Sequence, residues 1–228
     1  MTWVLANLDL ILGLLGDHLR QSAIAIVAGF LVSVPLGWIA WRYRLLRGWV
    51  ITITGLLYTI PSLALLMILP VVAGYPATSE TNLIVALTIY AVAIMVRAVT
   101  DGLDSVDPMV RDAAVAVGYS APRRFFAIDF PLAGPVILAG LRVTAVSTIS
   151  LATVGILVGV TNLGYLFTNG LQRRILAEVV VGVVAVAAVA LLVDLLLAWA
   201  GRMLMPWSRP APVRTARRRR TQTAGVAA

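Results

Sequence analysis

The 228-residue chain has no cysteine, and its eighteen basic residues are all arginine, with lysine absent altogether. No disulfide framework and no thiolate metal site can form, and a single histidine, His18, cannot assemble a histidine cluster. The missing lysine also rules out a G-x-x-x-x-G-K-[ST] phosphate loop, and with it an ATPase site of that kind. Charge is scarce: 12% of residues are charged against 61% hydrophobic, and the mean hydropathy of +0.96 lies far outside the balance of a soluble domain. This is the composition of an integral membrane protein. Its net charge of +8 sits beside apolar stretches, which argues for the arginine bias of membrane-protein loops and against nucleic acid as a partner.

A spanning helix needs roughly 20 apolar residues, because nothing in the hydrocarbon can satisfy free backbone groups. Five segments qualify: residues 22–41, 49–72 with Pro61 and Pro70 inside it, 83–99, 132–158 and 177–200. The fourth is long enough to tilt or to contain a break. Residues 1–20 lack a basic region ahead of their apolar run, which Asp9 interrupts, so a cleaved signal peptide is not expected. The segment reads instead as a short peripheral helix, extracytoplasmic and ended at Asp17.

Arginine placement sets the orientation. Arg42, Arg44 and Arg47 lie between the first two spans, Arg97 sits at the end of the third with Arg111, Arg123 and Arg124 after it, and Arg202, Arg209, Arg214 and Arg217 to Arg220 follow the fifth. Residues 74–82 carry Glu80 and no basic residue, so the expected N-terminus is outside and the C-terminus cytoplasmic. Arg173 and Arg174 break the rule. The tail 204–228 reads as an arginine-rich disordered segment whose first role is topological. Contact with anionic membrane lipids is its alternative, at about 1 kcal/mol per basic residue.

The most polar stretch of the middle is "RDAAVAVGYSAPRRFFAIDFP", Arg111 to Pro131. Asp107 before Pro108 is a helix start, since aspartate accepts from free amides and proline at the first helical position loses no bond. Val110, Ala113, Ala114 and Val117 recur at helical spacing, Gly118 ends the helix, and Ser120 is positioned to cap a second one before Pro131 returns the chain to the membrane. A helix-turn-helix DNA reader is excluded by tethering to a membrane span at both ends. Between lying on the bilayer and docking into a protein, the alanines at 113, 114 and 116 favour docking, because small side chains permit close approach.

The order Asp112-Ala113-Ala114, three residues, Gly118, nine residues, Ile128, then Phe130 and Pro131 resembles the EAA loop of bacterial ABC importer permeases, with Asp112 for the family's Glu and Phe130 for its Leu. "YTIPSLALL", "VDPMVRDAA" and "FPLAGPVILAGLR" resemble the osmoprotectant branch: the glycine betaine, choline, carnitine and proline permeases. The resemblance implies an all-α membrane protein of the type I ABC importer permease fold: five core transmembrane helices over residues 21–203, with cytoplasmic coupling helices at 107–131. It implies that Asp112, Ala113, Ala114, Gly118, Ile128, Phe130 and Pro131 contact an ATPase subunit, which would use the ATP and Mg, this chain binding no cofactor. A second permease subunit and an extracytoplasmic solute-binding protein are the other implied partners.

For the translocation path, Tyr58, Thr59, Pro61 and Ser62 in the second span are candidates. Pro61 removes a backbone donor, and Thr59 and Ser62 can rescue the freed groups; the other reading is a plain kink. Thr144, Ser147 and Thr148 form a polar stripe on the fourth span, which either glues helices or lines a pore. Tyr58 and Tyr90 would offer aromatic faces to a quaternary ammonium. Asp194, the one deep carboxylate, reads as paired or snorkelling, and Arg97 and Arg142 as reaching headgroups. The same architecture serving an amino acid, phosphate or sulfonate is the alternative. A stand-alone secondary carrier finds no internal repeat and no ion-coupling residues.

Overall fold

The computed structural model describes residues 2–208, and every described regular element is helical. A short α1 (Thr2–Ala6) precedes α2 (Leu8–Arg42), followed by α3 (Arg44–Thr59), α4 (Ser62–Ala73) and α5 (Glu80–Asp104). The loop helices α6 (Pro108–Ala116) and α7 (Ala121–Arg124) lead through a π-turn, Phe125–Asp129, into α8 (Phe130–Ala152). A 3₁₀ segment, Thr153–Val158, then α9 (Gly164–Gln172) and α10 (Leu176–Leu204) complete the bundle.

The sequence boundaries move in three places. The peripheral segment expected to end at Asp17 is not separate, because α2 runs unbroken from Leu8 past Asp17 to Arg42. Asp17 does not stop the helix: its carboxylate faces water and accepts from Arg20 at 3.2 Å. Leu14, one turn earlier, is buried with Ile149, Leu163 and Val189, so tertiary packing holds this end. The second span is two helices bent by 107° at Pro61. Ile60, crowded by the following proline ring, takes ψ 128°, which no helix accommodates. The third change is that α7 does not end before the membrane, since the chain stays helical from Ala121 to Ala152. Pro131 is tolerated there because it comes directly after the π-turn Phe125–Asp129, where the regular i→i−4 ladder is already interrupted. The arginine-rich residues beyond 208 lie outside the described residues.

Contacts fix the directions of the helices. Arg20 pairs with Glu80 at 2.8 Å, and Gly29 and Gly37 meet Ala91 and Val99, so α2 and α5 run parallel. The bent α3–α4 pair must therefore carry the chain back across the bilayer and supplies the fifth crossing. Gly140 against Ala98 and Gly102 against Ile137 make α8 antiparallel to α5, while Arg142 with Asp194 and Leu138 with Gly201 make α10 antiparallel to α8. One end of the bundle thus gathers Arg42, Arg44, Arg47, the loop helices and the end of α10, and the start of α2 lies at the other end.

These close approaches rest on missing side chains. A Cβ on Gly37 would sit 2.6 Å from the Cγ1 of Val99, and one on Gly102 would sit 2.8 Å from the Cγ1 of Ile137. Small residues at such crossings let the backbones gain dispersion contacts in a medium that offers no hydrophobic drive between helices.

Candidate functional site

The loop between α5 and α8 is built by its caps. Asp107 accepts from the amide of Met109 at 2.8 Å, with Pro108 in the first turn, as the sequence requires. At the other end Gly118 has φ 92°, its amide donates to Val115 at 2.9 Å, and that of Tyr119 donates to Ala114 at 3.0 Å. This is the Schellman arrangement, which a residue without Cβ adopts at no steric cost. No atom lies within 4 Å of where a Gly118 side chain would start, so substitution acts through the backbone alone. Gly118→Val should cost about 1 to 2 kcal/mol and speed hydrogen exchange of the Tyr119 amide roughly 5- to 30-fold, whereas Gly118→Asn should change it little. Equal protection in all three forms would refute the conformational account. Ser120, expected to cap α7, makes no side-chain capping bond.

The seven loop candidates divide. Asp112, Ala113 and Gly118 are exposed, while Ala114 is buried against the bundle. Ile128 and Pro131 are half-buried, and Phe130 packs beside Phe125 at a ring separation of 5.8 Å. Around the exposed three stand apolar side chains with no cover in this chain: Met109 at 78% exposure, Val117 at 80% and Phe126 at 72%. Together they make an exposed apolar face on a helix held at both ends.

Asp129 holds this face in place, and the sequence reading passed over it. It is fully buried; Oδ1 accepts from Arg111 Nε and Oδ2 from Arg124 Nε, both at 3.1 Å. Arg111 also donates to the carbonyl of Leu103 and lies 4.8 Å over the Trp41 ring. One carboxylate therefore ties α6, α7, α5 and α2 together. A lone acid in "RRFFAIDF" was the available signal, because a buried charge needs a partner and Arg124 stands five residues before it.

The path candidates fall in different places. Tyr58 and Ser62 line a cleft of about 210 Å³ with Tyr90 and Leu151 at the α3–α4 break. There the Tyr90 hydroxyl donates to the Ile60 carbonyl, and the Tyr58 and Tyr90 rings meet edge to face at 6.0 Å. Thr59 donates back to Leu56 at 2.7 Å, rescuing its own helix end as expected, while Pro61 sits exposed at the bend. Thr144 and Thr148 are buried, and Thr144 donates to Gly140 at 2.8 Å. Ser147 instead borders a separate cleft with Arg142 and Asp194, which form a two-pronged pair at 2.7 Å on each prong. Tyr58 and Ser62 are therefore together at the break, and the stripe on α8 is not with them.

A second unread feature lies under the turn after the 3₁₀ segment. Asn162, fully buried, donates to Gln21 Oε1 at 3.1 Å and to the Ala152 carbonyl at 2.8 Å, and accepts from the Gly164 amide at 2.8 Å. Gln21 donates to Thr161 at 3.1 Å, and His18 Nε2 donates to Ile149 at 3.0 Å. The single histidine thus pins α2 to the end of α8. Among the described residues no group of three or more His, Cys, Asp or Glu is placed to hold a metal ion.

Residues 18–210 match the family described as "Binding-protein-dependent transport system inner membrane component". The chain belongs to that family. The match takes in the bundle, the break and the loop. The permease chain is 31% identical over 190 residues to the glycine betaine/carnitine/choline transport system permease protein of Bacillus subtilis, covering 83% of this chain and 82% of that one. It is 32% identical over 190 residues to a choline transport system permease protein of the same organism, covering 83% and 86%. An osmoprotectant import permease protein of Salmonella typhimurium is 28% identical over 198 residues, covering 86% and 92%. Among solved structures, an inward-facing form of the MetNI methionine ABC transporter superposes with a TM-score of 0.75 at 19% identity over 90% of this chain and 99% of that one. The fold is thus that of type I ABC importer permeases.

Proposed function

We propose that this chain is the membrane-spanning subunit of an ATP-driven importer for osmoprotectants such as glycine betaine, choline, carnitine or proline. The observation that carries the reading is the doubly capped loop helix, which presents Asp112 and Ala113 amid exposed Met109, Val117 and Phe126 in a member of the binding-protein-dependent family. That face would dock on a cytoplasmic ATPase subunit, which supplies ATP hydrolysis and Mg. The loop end of the bundle is then cytoplasmic, in keeping with Arg42, Arg44 and Arg47 beside it, and the start of α2 faces outward. A solute-binding protein delivers the solute on that outer side, and a second permease subunit closes the path. The named relatives favour osmoprotectants over methionine, phosphate or sulfonates.

The test is uptake of radiolabelled glycine betaine, choline, carnitine and proline into vesicles containing the complex with its ATPase and binding protein. ATP-dependent accumulation of at least one of them is expected. Accumulation of methionine, phosphate or a sulfonate with none of the four would refute the solute assignment.

A further inference from the structure

Arg97 lies inside α5, seven residues before its end at Asp104, which at 1.5 Å per residue is about 10 Å of helix. It is exposed, and among the described residues it makes no hydrogen bond or ion pair. Arg142, which lies inside α8, by contrast has Asp194 as its acceptor. An unpaired guanidinium cannot face hydrocarbon at this depth without a cost of at least about 2.5 kcal/mol, so it faces water, an anion or both. Reaching back to the headgroups is also disfavoured by direction. Side chains lean toward the start of their own helix, and for α5 that is away from the loop end. The cleft that Arg97 lines bears this out, for it contains Ala93 and Ile94, one turn earlier, with Thr54, Gly55 and Tyr58 of α3 opposite.

Tyr58 is the link. It walls both this cleft, of about 230 Å³, and the cleft of about 210 Å³ at the break that holds Tyr90 and Ser62. One face of α5 thus runs from a pair of aromatic rings set edge to face to an unpaired cation two turns further on. Aromatic faces attract a quaternary ammonium, and a guanidinium binds a carboxylate through two parallel donors.

Resting on the osmoprotectant reading above, we propose that Arg97 is a specificity-determining residue of the translocation path. It takes the carboxylate of a zwitterionic solute while, or just after, the Tyr58–Tyr90 corner holds its ammonium. Solutes with both charges, such as glycine betaine or carnitine, would use both stations, and choline only the first.

Two measurements test this. Because the chain has no cysteine, Arg97→Cys introduces the one thiol of this subunit. In the assembled complex a water-soluble sulfonated thiosulfonate reagent should label it to most of the extent reached in denaturing detergent, and glycine betaine added during ATP turnover should slow the labelling. A thiol that stays unlabelled would place Arg97 against lipid or against an acid of the second subunit and overturn the proposal. Separately, Arg97→Gln should lower glycine betaine uptake tenfold or more with the complex still assembled, and Arg97→Lys should restore it to within about threefold of the parent. Parent-like uptake by Arg97→Gln would equally overturn it. If the parent complex takes up none of glycine betaine, choline, carnitine and proline, the osmoprotectant reading fails, while the labelling result still decides whether Arg97 faces water.

Discussion

Asp129→Asn is expected to abolish ATP-coupled uptake while leaving the five crossings inserted. The substitution is nearly isosteric, so its effect is electrostatic. Arg111 and Arg124 would be left side by side, mostly buried, with no counter-charge, since among the described residues Asp129 is the acid that each of them meets. Removing one partner of a buried ion pair costs about 3 to 5 kcal/mol, enough to raise local opening roughly a hundredfold or more. Arg111 would also release its hold on Leu103 and the Trp41 ring, so α6 loses its tether to the bundle. Trypsin reports this directly: cleavage after Arg111, Arg123 or Arg124 should become rapid, whereas spans buried in detergent stay intact. A protease-resistant loop in the variant, with normal uptake, would show that the carboxylate is dispensable.

Asn162→Ala should give the largest loss of overall stability. Three groups lose their partner at once: the Gly164 amide, the Ala152 carbonyl and Gln21 Oε1. At about 1 to 3 kcal/mol for each buried polar group left unsatisfied, the cost is at least about 3 kcal/mol, or roughly 6 to 12 °C in the unfolding temperature. Gln21→Leu should cost less, because Asn162 keeps Ala152 and Gly164. Thermal unfolding of the purified subunit in detergent orders the two. Equal losses would mean that Asn162 is not the hub of the network.

How much of this was legible beforehand depended on whether the determinant was local. Asp107, Pro108 and Gly118 act within one helix of nine residues, and each took the role its chemistry assigns. The break at Pro61 followed from the ring clash with Ile60, although its size of 107° did not, since the angle depends on what α4 packs against. The true start of α2 was hidden because Asp17 reads as a helix end unless one knows that it faces water beside Arg20 and Glu80. Asp129, Asn162 and Gln21 were missed for the same reason. Asn162 meets Gln21 across 141 residues of sequence, a pairing no periodicity encodes. Thr144, Ser147 and Thr148 were found as a stripe, yet a stripe does not say which neighbour each residue faces.

The parallel α2–α5 pair has a mechanical consequence. With Gly29 seated on Ala91 and Gly37 on Val99, the two helices are keyed like gear teeth, and sliding one past the other by a residue would drive methyl groups into backbone. Opposite them, α3 buries Thr54 alone and α4 only Leu65 and Leu66. Stiffness is therefore distributed unequally: α2, α5 and α8 form a stator, and α3 with α4 form an arm articulated at Ile60 and Pro61. Under the proposed function, a push on the loop would reach the solute by moving that arm against the better-packed frame of α2, α5 and α8.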